Sequence, residues 1–341
     1  MKELRYTVRF NTPAFLGNAE QAGQWRTPPF KALLRQWWRV AYAAERNFNV
    51  NVAEMRREEG LLFGHAWLED DRDEQGRKVA ARKSLVRLRL EQPAGADDKT
   101  WMLGTQRGVA PLSDGLETSY AWFGLIKRGD GQPDRTAIRA VGGNNKDSVE
   151  ATRCLHIAVP NEIVPRIREV MRLTNAFGLI GSRSRGGWGS LHVDDVEPMQ
   201  HEDMQRYARS LGACLDCNWA MSLATDNNGL CVWHSRSSFD AWHKAMRVVA
   251  IERKRVRSAL KGINGKDLRP ALGFATPGRM PSPLRWKIVP HQNALAIRVF
   301  ALPHKLPADS KKHMQDDYLR RAWQIVCKTL DESQHVIRLD R

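Results

Sequence analysis

Alternating apolar and polar residues mark a first strand at LRYTVRF (4–10), which runs into Asn11-Thr12-Pro13. AFLGNAEQAGQW then reads as a glycine-dotted loop. Pro28-Pro29 opens FKALLRQWWRVAYAAERN, a pattern at helical spacing with proline at its start. VAEMRREEGLLFG predicts a second, shorter helix closed by Gly60 or Gly64. Residues 70–83 are charged and irregular, a pattern that predicts a mobile loop. SLVRLRLEQ (84–92) alternates again, and weaker strands are expected around 100–105 and 118–127. Residues 129–150, rich in Gly, Asn and Asp, read as a loop. TRCLHIAVP (152–160) predicts a strand, 161–177 a helix, and Leu191 begins another strand after a glycine-rich stretch.

The order strand, helix, strands, helix, strand suits a ferredoxin-like, or RRM-like, α+β unit. A boundary is expected near Pro198, dividing the chain into 1–197 and 198–341. The second half predicts a helix at 201–217, a strand at GLCVWHS (229–235) and a long basic helix within 239–262. Phe239, Trp242, Met246, Val249, Val256 and Leu260 form the apolar stripe of that helix. A hairpin over 284–302, a helix at 314–331 and a strand at 335–339 follow. The fold expected is therefore α+β: two tandem ferredoxin-like (RRM-like) domains packed as one body, the second degenerate.

Composition narrows the function. The chain has 341 residues, 42% apolar, with a formal net charge of +16 and a pI near 10.0. That surplus favours polyanions, nucleic acid before anionic membrane. No long apolar run and no signal-like N-terminus is present, so no membrane role and a cytoplasmic setting are expected. Five cysteines, an odd number, fit reduced thiols. Cys214 and Cys217 form a CxxC with His201 upstream, but no second pair stands near, so no zinc or other metal is expected. Twelve tryptophans, many beside arginine, are read mostly as core residues.

Two stretches carry candidate chemistry. On a helical wheel, Leu33, Leu34, Trp37, Val40, Ala41 and Ala44 share one side of the first helix. Lys31, Arg35 and Arg39 repeat at i, i+4 on the other, flanked by Trp38 and Tyr42. No acid on that stripe relieves the repulsion, which fits phosphates along an RNA strand; an ordinary solvated face is the alternative. GLIGSRSRGGWGS (178–190) holds more glycine than a turn needs. Glycines let backbone N–H groups approach phosphates, and Arg183 and Arg185 can add forked bonds. Trp188 has two readings: stacking on a base, or plugging the loop onto its own domain. The catalytic case is thin. Asp194-Asp195, Asp226 and Asp316-Asp317 belong to no metal motif, and histidines 65, 156, 192, 234 and 243 are scattered. His65, in a Gly-bounded turn, is the most interesting of them. No phosphate-loop, GxSxG or HExxH signature occurs.

Four stretches together resemble a known family. TPAFLGNAEQAGQWRTPPFKALLRQWWR, LLFG, GSRSRGGWGS and GRMPSPLRWKIV are similar, in order, to motifs of the large head-end RAMP subunit of Cmr-type (type III-B) CRISPR effector complexes. Asn18, Ala32 and Met280 depart from the family pattern. The resemblance implies a non-catalytic RNA-binding subunit with no cofactor, whose partners are CRISPR RNA, target RNA and other RAMP subunits. It would sit at the end holding the guide's 3′ portion and help capture target RNA. The residues it points to are Lys31, Arg35, Arg39, Trp38, Arg26 and His65, then Arg183, Arg185, Gly186, Gly187, Trp188 and Gly189, then Arg279 and Arg285. A RAMP-type endoribonuclease that processes CRISPR precursor RNA, with His65 as base, is the alternative.

Overall fold

A computed structural model describes residues 1–339 except Gln21, Trp67, Glu69, Asp70, 96–99, 103–120, 122–124, 126–135, 142–150, Asn264, Thr276, Pro277, Asp309 and Lys311. The chain runs β1 (Lys2–Phe10), α1 (Thr27–Glu45), α2 (Val52–Phe63), β2 (Arg87–Glu91), β3 (Thr100–Met102), β4 (Thr136–Ile138), β5 (Arg153–Val159), α3 (Val164–Phe177) and β6 (Leu191–Val193). It continues through α4 (His201–Gln205), β7 (Ala208–Ser210), α5 (Leu211–Leu215), β8 (Leu223–Asp226), β9 (Gly229–Leu230) and β10 (Val232–Ser235). Helix α6 (Trp242–Ala259), β11 (Leu284–His291), β12 (Ala294–Ala301), α7 (Asp316–Asp331) and β13 (Val336–Arg338) complete it.

Two four-stranded antiparallel sheets have the same topology. The first is ordered β2-β5-β1-β6 and the second β11-β12-β10-β13. Each is the strand order of a βαββαβ unit, so the tandem ferredoxin-like expectation holds. Leu4, Tyr6, Val8 and Phe10 of β1 turn inward onto α1 and α3, where Trp37, Leu34 and Ile167 are buried. In the second unit Trp286, Ile288 and Val299 pack against Val249 of α6 and Trp323 of α7.

Several local expectations are corrected. The helix expected over 201–217 is two short helices, because Ala208–Ser210 pairs in parallel with β8 and Ser210 caps α5 through Ala213 N–H. Thr136–Ile138, expected in a loop, pairs with β3. Most of the strand expected at 118–127 lies outside the described residues. The 70–83 segment is irregular but pinned, since Asp71 is buried and bonded by Arg82 at 2.5 and 2.9 Å and by His65 at 2.7 Å.

The units meet along an unusual seam. The face of the second sheet opposite its helices is covered by the end of α3. Phe300 packs on Phe177 and Trp37, with centroids 4.9 and 6.4 Å apart. Lys287, 0% exposed, donates to the Thr174 and Asn175 carbonyls at 3.4 and 2.5 Å, and Arg298 donates to Ala176 O at 3.1 Å. These are last-turn carbonyls of α3, where the helix dipole favours cations. Burial, and then Arg298, drives the Lys287 ammonium well below its ordinary pKa.

The glycine-rich stretch closes the edge of β11. Gly186 bridges Trp286 in parallel, with Trp286 N–H donating to Arg185 O at 3.1 Å. Ile288 N–H donates to Ser190 Oγ at 2.9 Å, and Asn11 Nδ2 donates to Ile288 O at 3.0 Å. Thr12 Oγ1 donates to Gly187 O at 2.6 Å. Space at this seam is short. Gly187 has φ 101° and a Cβ there would stand 2.8 Å from Met246 Sδ on α6. At Gly189, φ is 59° and a Cβ would fall 1.9 Å from Ile180 O. Two of the loop's glycines are thus required by left-handed backbone and by contact with neighbours.

Gly189→Ala is expected to lower stability by at least about 2 kcal/mol, because it adds a left-handed alanine and a backbone clash. The midpoint of urea unfolding measures this; an unchanged midpoint contradicts the packing described.

Candidate nucleic-acid interface

Between the glycine-rich loop and α6 lies a cleft of about 710 Å³. Loop residues 181–186 form one wall, Arg253, Val256 and Arg257 another, and residues 272–275 with 279–282 and Leu284 the third. Five arginines line it: Arg183, Arg185, Arg253, Arg257 and Arg279. No carboxylate stands among the described residues lining it. Arg185 Nη1 donates to Ser282 O at 2.9 Å, and Arg257 Nη1 to Gly273 O at 3.4 Å. Both contacts orient the guanidinium without neutralising it. Burial, together with Arg279, pushes the Arg185 pKa down to about 10. A second basic cavity, about 570 Å³, shares Phe274, Arg279, Met280 and Pro281 with this cleft and adds His304 and Lys305.

The local folding explains why these arginines converge. Three of the four motif stretches meet at the cleft's base. Phe15 and Trp188 pack edge to face at 5.2 Å, Thr12 bonds the loop, and Ser282 and Trp286 bond Arg185. Met280, where the resemblance leads one to expect arginine, is buried in the second unit's core.

Other surfaces are worse suited to a polyanion. A larger groove, about 1060 Å³, is lined by Lys2, Arg5, Arg166, Arg168, Arg172 and Arg206, but also by six carboxylates. The open face of the first sheet carries Glu3, Arg5, Cys154, His156, Arg89 and Glu91, with no Phe, Tyr or Trp on those strands' outward positions. Most of its charges are compensated: Arg5 pairs with Glu3, Arg89 with Glu91, Arg9 with Asp194, and His156 sits between Glu3 and Glu91, while Arg87 is exposed on the same face. Base stacking needs exposed rings, and this face offers none.

The expected site residues divide. Arg183, Arg185, Gly186 and Arg279 come together at the cleft. Gly187, Trp188 and Gly189 are buried beneath it. Trp188 packs on Phe15 and on Trp242 of the second unit at 5.8 Å, and its Nε1 donates to Ala121 O at 3.0 Å. The plugging alternative is therefore the observed one, and the plug reaches across the seam. Arg285 lies behind the cleft, 5% exposed.

The α1 stripe is corrected. Trp38, expected to face outward, is 4% exposed and packs on Tyr42 and edge-on to Phe63, because α2 docks on that flank. The same helix supplies the acid that the stripe itself lacks. Glu59 of α2 is buried and accepts Arg35 Nε at 2.5 Å and Arg39 Nε and Nη2 at 2.6 and 2.8 Å. Burial raises its pKa, yet Arg39 and Arg35 together hold it below the ordinary value. Lys31 is half-buried, its pKa lowered by burial and then by Arg35. Arg26 is exposed at the N-cap of α1. His65 is buried, with Nε2 on Asp71 at 2.7 Å and Nδ1 accepting Leu68 N–H at 3.4 Å, so its ring nitrogens are occupied.

Arg253 and Arg257 were not singled out in the sequence. Their signal was the i, i+4 spacing beside the apolar stripe of α6. Cys214 is buried against Ser222 and Leu223 O, whereas Cys217 faces Arg209 at 3.2 Å. Asp226, Cys231 and Cys327 offer ligand atoms within 4.8 Å of one another. There, however, the Arg338 guanidinium binds Asp226 at 2.6 and 3.0 Å, and burial beside Cys327 keeps Cys231 protonated. That donor set already holds a cation of its own. No described helix is long and apolar enough to cross a membrane.

No family profile matches the sequence, and no curated protein matches it significantly. The fold is similar to that of the apo crystal structure of Cmr1 from Pyrococcus furiosus, with TM-score 0.54 at 14% identity over 99% of each chain. Chains in two cryo-EM structures of a type III-B Cmr-beta complex bound to cognate target RNA also match, each at 12% identity. One, also bound to AMPPnP, has TM-score 0.47 over 96% of this chain and 98% of its own; the other has 0.48 over 94% and 99%.

Glu59 gives a pH test. Its folded pKa is depressed, so its pairs add stability above the unfolded Glu value, about 4.3, and lose it as pH falls through the folded value. Glu59→Gln should cost about 1–3 kcal/mol at pH 7, less than a fully buried pair because Arg35 and Arg39 reach solvent. Denaturation midpoints of the two proteins should converge as pH falls through the folded value of Glu59; a gap that is constant with pH contradicts the pairing.

Proposed function

We propose that this chain is a non-catalytic RNA-binding subunit of a type III CRISPR ribonucleoprotein effector complex, and that the arginine cleft holds the RNA backbone. The observation that carries the reading is the cleft itself: five arginines with no described carboxylate, at the point where three signature motifs converge. Likeness of fold to Cmr1 along nearly the whole chain supports it. So do the four ordered motifs, which favour the end of the complex holding the guide's 3′ portion, beside other RAMP subunits and target RNA. The net charge of +16 supplies the long-range attraction.

The mechanism is positional. Guanidiniums held by backbone carbonyls, as Arg185 is by Ser282 O, keep donors aimed into the cleft. Forked N–H groups suit phosphate oxygens. Phe274, half-buried where the two cavities meet, is the ring nearest to hand for stacking on a base. Contacts of this kind read backbone rather than sequence. The guide's own pairing then supplies specificity. The endoribonuclease alternative is weakened by the burial of His65.

Replacing Arg183, Arg253, Arg257 and Arg279 with alanine should weaken single-stranded RNA binding and flatten its salt dependence, by roughly 0.7 in log–log slope for each phosphate the variant no longer neutralises. Arg35→Ala should change stability more than affinity. An unchanged slope in the fourfold variant removes the cleft from the account. Incubated with repeat RNA without metal, the purified protein should leave it intact; cleavage would contradict the non-catalytic reading.

A further inference from the structure

Behind the cleft wall stands a buried cation for which the described chain supplies no counter-charge. Arg285 on β11 is 5% exposed, and its Nε is buried without a hydrogen-bond partner. Lys287, its neighbour on the same face of the strand, has the α3 carbonyls; Arg285 has no such cap. The nearest charge is another cation. Arg185 sits close enough to push the Arg285 pKa further below its ordinary value, after burial itself. Arg279 acts on Arg185 in the same way from the cleft rim. His304, with Nδ1 donating to Leu302 O at 3.1 Å, is near enough for Arg185 and Arg285 to act on its charge. Burial, then those arginines, lowers its pKa, so it adds no acid to the group and is neutral at neutral pH.

An arginine does not shed its proton to escape burial. An unpaired buried charge is strongly unfavourable, and neighbouring guanidiniums deepen the penalty. A fold that buries Arg285 beside Arg185 in this way has an anion to meet them. The position selects its kind. Arg183, Arg253 and Arg257 face the open cleft, where a strand can enter and leave, but Arg285 does not line it. An internal phosphodiester carries chain on both sides and cannot follow into the wall. A group projecting from a chain end can. Two adjacent guanidiniums also match a dianion better than a singly charged diester.

We propose that Arg185 and Arg285 form a discrete site for a phosphate dianion, the charge type shared by a phosphorylated RNA end and by inorganic phosphate. The first source rests on the RNA-binding reading above; the second does not. The site would let the cleft register the terminus of a bound strand while its other arginines hold the backbone.

Two measurements on the full chain test this. In the first, thermal unfolding is followed in phosphate and in chloride at matched ionic strength. The wild type should unfold at a higher temperature in phosphate, and Arg285→Met should not. In the second, one single-stranded RNA is prepared with hydroxyl ends, with a 3′-phosphate and with a 5′-phosphate. The wild type should bind one phosphorylated form roughly 10-fold tighter than the hydroxyl form, the scale of a charge-assisted pair. In Arg285→Met the three affinities should converge. A thermal shift with no end preference assigns the site to free phosphate, and an end preference without the shift assigns it to the RNA terminus. A phosphate shift in a protein that binds no RNA supports the site and overturns only the cleft reading. Wild-type protein that shows neither response overturns the proposal without recourse to any variant, as does a response that survives Arg285→Met.

Discussion

The structure depends on the close approach of residues 186–190 to the edge of β11. One ferredoxin-like unit lends a stretch of backbone to the other's sheet, while Met246 of α6 leaves no room for a side chain at Gly187 and the loop's own Ile180 carbonyl leaves none at Gly189. Trp188 then fills the space that the glycines open, set between Phe15 of the first unit and Trp242 of the second. The same backbone carries Arg183 and Arg185 out on the far side. Seam and cleft are two faces of one loop, so packing fixes where the charges stand.

Electrostatics divides the surface. A net charge of +16 is not spread evenly once the internal pairs are made. Glu59 takes Arg35 and Arg39, and Asp226 and Asp331 take Arg338. The end of α3 takes Lys287 and Arg298. Most charges on the open face of the first sheet are taken up by its own ion pairs, and the open face of the second is covered by α3. The cleft beside α6 gathers its cations with no described acid in its lining. Low-dielectric walls around like charges focus the field on an incoming anion, which is why this cleft carries the functional reading and the larger, mixed groove does not.

Much of this was legible in the sequence, and the rest was hidden for identifiable reasons. Both βαββαβ patterns followed from alternation and helical spacing, since those periods are local. Arg183 and Arg185 stood out because a turn between a helix and a strand does not need four glycines and two arginines, whereas Arg279 entered only through the family resemblance. The reading of Trp38 and of the Lys31, Arg35, Arg39 stripe missed because a helical wheel shows one helix alone. The helix that covers Trp38 and brings Glu59 to the arginines is formed by later residues, and no property of α1 announces it. The loop's glycines were read as a phosphate nest, yet Gly187 answers to Met246, far along the chain. Arg253 and Arg257 were visible only as part of a basic helix until the seam set them opposite the loop.

Photo-crosslinking of the wild-type protein to single-stranded RNA, with the linked peptides identified by mass spectrometry, tests the central claim most directly. The account predicts crosslinks within 181–186, 253–257, 272–275 and 279–284. Crosslinks confined to the open sheet face at 87–91 and 154–158, or to the exposed side of α1, would contradict it.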